Sequence, residues 1–352
     1  MSITKRISAF YDLGQLFLYA TNRQLNKQID NSKFEAIKDT LLAKLEWAEI
    51  KNPWFTQDNL QLCLAQWGET LTRENLENWS KDLIPPKNPK NIGIIMAGNI
   101  PLVGFHDLLS VLISGHNALV KTSSKDDVLV EFVIDFLKNS SEDLNQAIQK
   151  VDRLKNHEAV IATGSNNTAR YFEYYFKDIP HIIRKNRTSV AVLKGNESPE
   201  DLKNLSKDIF QYFGLGCRNV THLYLPEGFD TDLLFEAFFD WGHIINHNKY
   251  ANNYEYNRAI YLMSEEKFLD NNFVILKETE SLHSPIGVVY YSYYSDLEQA
   301  KKSIEENFEN IQCVVDNGEF GFENSVSFGE TQHPSLTDYA DGVDVLEFLS
   351  KL

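Results

Sequence analysis

From Asn91 to Phe210 the chain repeats one arrangement: a short apolar run, a turn, then a helical segment with apolar residues every third or fourth position. The runs are NIGIIMA from Asn91, Asn117 to Lys121, HEAVIATGS from His157 to Ser165, and SVAVLKG from Ser189 to Gly195. The helices that follow them are Phe105 to Ile113, Val128 to Leu137, Thr168 to Phe176 and Pro199 to Phe210. Short continuous apolar runs suit strands buried on both faces, and strands joined through helices run parallel. The pattern predicts a doubly wound α/β sheet that takes ligands at the carboxyl ends of its strands.

The flanking sequence differs in kind. Met1 to Leu83 is helical throughout and predicts a bundle of about four helices. IPPKNPKN, Ile84 to Asn91, holds three prolines and ends it. Downstream, Val220 to Leu225 is a β-prone run closed by Pro226 and Gly228, and Thr231 to Ile245 reads as an aromatic-rich helix. Ile286 to Tyr294 (strand), Asp296 to Ile304 (helix) and Gln312 to Val315 (strand) complete a second α/β unit. The tail, Ser327 to Leu349, is too small to fold alone and should pack on an earlier domain or on a partner subunit. A chain of 352 residues has room for two or three cores.

Charge narrows the partners. With 34 Lys plus Arg against 50 Asp plus Glu, the formal charge of −16 opposes binding to nucleic acid or an anionic membrane surface. No uncharged apolar run reaches the ~18 residues of a membrane span. The N-terminal apolar stretch, interrupted by Asp12, Gly14 and Gln15, reads as a mature helix and not a signal peptide. Three cysteines, Cys63, Cys217 and Cys313, odd in number and far apart, suit a reducing cytoplasm.

Chemistry-bearing residues fall at the ends of these strands. Cys217 lies in FGLGCRN just after Gly214 and Gly216, where it is either a nucleophile exposed by a tight turn or a small buried apolar residue. Asn99, in MAGNIP, either donates its amide to an oxyanion or caps the next helix. Lys121 ends another strand and by itself reads as a solvated lysine. Thr163, Gly164 and Ser165 lead into a helix whose first amides suit a phosphate. His243 and His247 have the spacing of metal ligands on a helix but no third ligand, so no metal is expected. YFEYYF, Tyr171 to Phe176, and YYSYY, Tyr290 to Tyr294, either line an acyl-chain tunnel or pack core and sheet. Arg218 either lowers the thiol pKa or points away.

In this order and spacing, MAGNIP, ALVKTSS, ATGSNNTARYF and GLGCRN resemble the aldehyde dehydrogenase superfamily. The resemblance is closer to its fatty acyl-CoA reductase family, the bioluminescence type, with LTDYADGVD in the tail as a further match. It covers about Asn91 to Leu352. It implies an α/β, aldehyde dehydrogenase-like fold of two doubly wound domains with an N-terminal helical segment at 1–83. A dinucleotide-binding domain would span 91–205 with about 326–352, and a catalytic domain 206–325. The family also implies a homodimer, and it permits an acyl-protein synthetase partner without requiring one.

Carried over by position, the resemblance makes Cys217 the acyl-accepting nucleophile and joins the Asn99 amide to the Cys217 backbone N–H as oxyanion donors. Lys121 would reach the adenosine ribose, with Gly164 and Ser165 beside the pyrophosphate. Val192 stands where relatives that make carboxylic acids carry a water-activating glutamate, and Glu197 lies five residues further on. Ser124 stands where NAD-preferring relatives carry an acid, which favours NADPH and leaves NADH open, since Asp126 and Asp127 follow closely. Counting back from Pro285 in TESLHSP lands on Ser281 and not Glu280, so the group holding the nicotinamide ribose stays open. The implied reaction is reduction of a long-chain fatty acyl-CoA, or an acyl group on a carrier, to the fatty aldehyde through acyl-Cys217. The rivals are a cysteine acyltransferase or thioesterase on the same fold, and a non-catalytic dimeric scaffold.

Overall fold

In the computed structural model, which describes residues 2–21, 34–318 and 320–352, the repeated run-and-helix pattern becomes two mostly parallel sheets. The chain divides into two compact units, Met1–Lys185 with Ser335–Leu352, and Asn186–Pro334.

The first unit opens with α1 (Ile3–Ala20), α2 (Glu35–Lys51), α3 (Gln57–Thr70) and α4 (Arg73–Ser80). Residues 1 and 22–33 of the expected helical segment lie outside the described residues. Thr56 and Thr72 start α3 and α4 by accepting the amides of Asn59 and Asn75, the side-chain cap that orphaned helix amides require. Glycines let α1 and α3 approach closely: a Cβ on Gly68 would lie 2.6 Å from Leu18 Cγ, and one on Gly14 would lie 2.8 Å from Leu71 Cβ.

Next come β1 (Asn91–Ile95), α5 (Phe105–Ser114), β2 (Asn117–Lys121), α6 (Asp127–Ser140), α7 (Glu142–Ala147) and β3 (Ile148–Lys150). They are followed by β4 (Ala159–Thr163), α8 (Asn166–Phe176) and β5 (His181–Arg184). The five strands are parallel, in the order β3-β2-β1-β4-β5. The N-terminal helices do not stand apart as a bundle. Helix α1 packs on α5 and α6, α2 packs on α6, and Trp67 meets Phe105 edge-on at 4.6 Å. The C-terminal helix Val345–Ser350 packs on α5, so the end of the tail belongs to this unit.

The second unit contains β6 (Thr188–Val192), α9 (Pro199–Phe210), β7 (Val220–Pro226), α10 (Asp232–Phe238) and α11 (Asn248–Met263). Then follow β8 (Leu269–Asp270), β9 (Ile275–Glu278), β10 (Val288–Tyr294), α12 (Leu297–Glu306), β11 (Ile311–Val315) and β12 (Ser325–Val326). Their order is β12-β11-β6-β7-β10-β9-β8, parallel except at β8–β9. Helix α9 begins with a reciprocal capping box between Ser198 and Asp201 and carries Pro199 in its first turn.

Three expectations shift. The division falls at Lys185/Asn186 and not at 205/206, because β6, buried at all five positions, pairs with β7 and β11. The return to the first unit comes at Ser335 and not near 326, because β12 is paired to β11 and Asp208 of α9 holds Gly329 and Thr331. The aromatic-rich helix expected to reach Ile245 is α-helical only to Phe238 and continues as a 3-10 turn over Phe239–Asn246.

Candidate functional site

Strand register brings three candidate loops to one edge of the first sheet. Ile95 of β1 is level with Lys121 of β2 on one side and with Ala162 of β4 on the other. The segment Met96–Asn99, Lys121 and the Gly164–Ser165 turn therefore all leave the sheet at carboxyl ends. The strand order reverses between β1 and β4, the switch point where sheets of this type bind nucleotides.

Each residue at this edge has a local reason for its position. Ser165 is exposed and is the N-cap of α8, accepting the Thr168 amide at 3.3 Å. A Cβ on Gly164 would come within 3.0 Å of the Thr168 side chain and 3.1 Å of Phe172, so glycine lets the strand end pack tightly on the helix that follows. Lys121 and Ser124 are exposed. Asn99 is exposed too, in a bend ahead of α5, whose N-cap is Gly104. It does not cap that helix. A helix N-terminus, a glycine turn and a lysine thus share one sheet edge, a set of groups with the chemistry to meet a phosphate.

Two acids follow Ser124, and neither is an open charge at this edge. Asp127 accepts Lys51 Nζ at 2.5 and 2.6 Å. Asp126 is 3% exposed and turns beneath the loop after β1, where its Oδ2 accepts the Leu102 amide at 2.7 Å. Burial pushes its carboxyl well above the usual carboxylate range, a rise that the Leu102 amide opposes. Sequence reasoning missed this contact.

Cys217 belongs to the second unit. The approach to it is a run of left-handed backbone: Tyr212 at φ 52°, Phe213 at 60°, Gly214 at 74° and Gly216 at 103°. The glycines take this conformation freely, but each non-glycine residue costs about 1–3 kcal/mol and persists only where packing imposes it. Here Phe213 lies 4.2 Å from the His247 ring, between ring centroids, and 6.3 Å from Tyr250. Cys217 is half-buried, whereas Cys63 and Cys313 are buried. Ser189 Oγ donates to the Cys217 carbonyl at 3.1 Å and accepts the Cys313 amide at 3.1 Å.

The residues around the thiol are tied to backbone. Arg218 Nε donates to the Thr331 carbonyl, and Asp208 fixes that loop by accepting the Gly329 amide at 2.7 Å and the Thr331 amide at 3.0 Å. Burial raises the Asp208 carboxyl to about 6. His222, fully buried on β7, contacts the Ser281 carbonyl and Ser292 Oγ, both at 2.9 Å, and Thr221 Oγ1 donates to the Leu282 carbonyl. Strand β7 thereby holds the segment that carries Glu280 and Ser281, both exposed. Val192 is buried in the core. Glu197 turns back on its own loop to accept the amides of Lys194 and Gly195.

Other sequence candidates resolve differently. Tyr171, Tyr174 and Tyr175 of α8 are exposed, whereas Phe172 and Phe176 of the same run are half-buried and pack against each other at 6.0 Å between ring centroids. Tyr291 and Tyr294 are sheet packing, Tyr294 donating to the Leu193 carbonyl at 2.6 Å. His243 and His247 do not share an α-helix. The first is exposed on the 3-10 turn, and the second caps α11 and accepts the Tyr250 amide. Among the described residues, no group of three or more His, Cys, Asp or Glu is placed to hold a metal ion. Likewise no described helix is long and apolar enough to cross a membrane.

No protein-family model and no curated protein sequence matches the chain. Solved structures do. Aldehyde dehydrogenase 21 from Physcomitrella patens, determined with the product succinate, is similar with a TM-score of 0.65 at 13% identity, over 100% of this chain and 84% of that one. The fold is that of the aldehyde dehydrogenases. An acetylating aldehyde dehydrogenase from Geobacillus thermoglucosidasius aligns at TM-score 0.59 and 10% identity, covering 99% of this chain and 90% of that one. The NAD+ complex of an aldehyde dehydrogenase from Bacillus cereus gives 0.59 and 11%, covering 89% and 70%. The chain spans 35% of the longer proline utilization A (PutA). In this aldehyde dehydrogenase fold, a cavity of about 340 Å³ lined by Arg6, His116, Asn117 and Asp143 lies at the amino end of β2. It therefore lies at the opposite end of β2 from Lys121.

Proposed function

We propose that this protein is an oxidoreductase that reduces a long-chain fatty acyl thioester to the aldehyde with NADPH, through an acyl-cysteine on Cys217. The observation that carries the reading is the Cys217 turn: the half-buried member of three cysteines follows a strained run of backbone at the start of a central strand. Strain of this kind persists where a side chain must be held in one direction.

The Cys217 thiolate attacks the thioester carbonyl, a C–S bond forms, and CoA leaves as its thiolate. The Asn99 amide acts as oxyanion donor, a role that suits its exposure and its lack of a capping duty. Gly164 and Ser165 would hold the pyrophosphate of the reduced dinucleotide, with its adenosine end toward Lys121 and Ser124, and the nicotinamide would supply the hydride. Asn99 then serves the second oxyanion as well, and the C–S bond breaks to release aldehyde and regenerate the thiol. Val192 lies in the core and Glu197 is committed to its own loop, so neither of these two positions offers a carboxylate to activate water, which favours transfer over hydrolysis. For the nucleotide, Ser124 with Asp126 buried and Asp127 paired to Lys51 removes the charges that would repel a 2′-phosphate.

Incubation with a long-chain acyl-CoA should add one acyl group at Cys217 by peptide mass spectrometry, and NADPH should discharge it as aldehyde. Cys217→Ala should neither acylate nor oxidise NADPH, and a variant that did both would overturn the reading. Acylation of the wild type without NADPH oxidation would leave an acyltransferase.

A further inference from the structure

The loop that carries Asn99 is held from beneath. Gly98 packs onto the Ser123–Asp126 turn so closely that a Cβ would lie 2.8 Å from Ser123 Cβ and 3.1 Å from Asp126 Cβ. Pro101 presents its carbonyl to Cys63 Sγ of α3 at 3.3 Å. Leu102, 1% exposed, takes a left-handed φ of 53°, and its amide points to Asp126 Oδ2 at 2.7 Å. A leucine adopts that conformation only where its surroundings impose it, and the buried carboxyl is the group that meets its amide.

We propose that Asp126 is a positioning residue for Asn99: by accepting the Leu102 amide it locks the 98–102 loop in the one conformation that aims the Asn99 amide. This rests on the oxyanion role assigned to Asn99. The conservative replacement is asparagine, which keeps an acceptor oxygen in the same place. Burial holds the Asp126 carboxyl well above the usual range, so the carboxyl has less need of its charge than of its oxygen. Its Oδ1 has no hydrogen-bond partner among the described residues, so the Leu102 bond is the one the side chain makes. A misplacement of about 1 Å at a reacting group is enough to cost ~10²-fold in rate.

The test is steady-state NADPH-dependent reduction of a long-chain acyl-CoA by the full chain. Asp126→Leu fills the buried space without an acceptor and should lower kcat by at least about tenfold, with both KM values within about twofold. Asp126→Asn should recover kcat to within about threefold of wild type. In an Asn99→Ala background, Asp126→Leu should cost under about twofold, because the two residues act as one unit. Should Asp126→Leu fail to fold, Asp126→Thr, smaller and carrying a weaker acceptor, takes its place with the same expectations. Wild-type kcat in these acceptor-poor variants, or an undiminished loss on top of Asn99→Ala, overturns the positioning role alone. Wild-type kcat in Asn99→Ala itself overturns the oxyanion role and this inference with it.

Discussion

His222 is buried neutral, with its pKa pushed down from 6.5 to about 4 by desolvation. Because the folded value lies below the unfolded one, its contribution is complete above pH ~6.5 and falls as pH drops toward ~4, a loss of up to about 3 kcal/mol. The wild-type Tm should therefore fall more between about pH 7.5 and 5 than that of His222→Gln. Equal slopes would show that the imidazole does not carry this linkage. The buried pair of Asp107 and Arg184, bonded at 2.6 and 2.7 Å, behaves differently. Asp107→Ala removes the carboxylate that this buried guanidinium meets and should cost about 3–5 kcal/mol in denaturant titrations. Asn99→Ala, with the amide exposed, should leave the Tm nearly unchanged while turnover falls about 10²–10³-fold. Cys217 and Asn99 could be picked out as candidates because glycines and strand ends mark them locally. Asp126, His222 and Asp208 could not, because a lone carboxylate or imidazole carries no local sign of which distant group its side chain will meet.

Two elements show how local pattern and tertiary demand combine. The turn before β7 needs Gly216 at φ 103°, a conformation closed to residues with a Cβ. Gly216→Ala should destabilise the fold by at least about 1 kcal/mol and slow Cys217 acylation more than it slows NADPH binding. Stopped-flow acylation and nucleotide titration would separate the two. Helix α11 escaped the sequence reading because its buried stripe is Tyr250, Tyr254, Asn257 and Tyr261, polar-tipped residues that do not count as an apolar face. In the fold their tips are satisfied: Tyr250 donates to the Phe273 carbonyl, Tyr254 to Asp270, and Asn257 to the Ile286 carbonyl. Rings were buried with their polar ends paired, which periodicity alone does not reveal.

Across the chain, the nucleotide reading predicts a ligand-dependent stability. NADPH at about 100 times its Kd should add about 2.7 kcal/mol and raise the Tm, with less effect from NADH at the same concentration. Ser124→Asp should reverse that preference, lowering kcat/KM for NADPH about tenfold or more by bringing a carboxylate toward the 2′-phosphate. An unchanged cofactor ratio would remove Ser124 from the nucleotide site.

Taken alone, the amino-acid order determined the parallel α/β class, the strand ends where candidate residues sit, and the glycine turn at Cys217. Each of these is written within a few neighbouring residues, as alternation, helical spacing or a φ that glycine permits. The tertiary structure decided which sheet each strand joins. Residues 185–187 separate β5 from β6, yet the two strands enter different sheets. It also decided where polar side chains aim, as when Asp208 secures Thr331, 123 positions away. Such choices depend on surfaces brought together from distant parts of the chain, and no local window of sequence contains both partners.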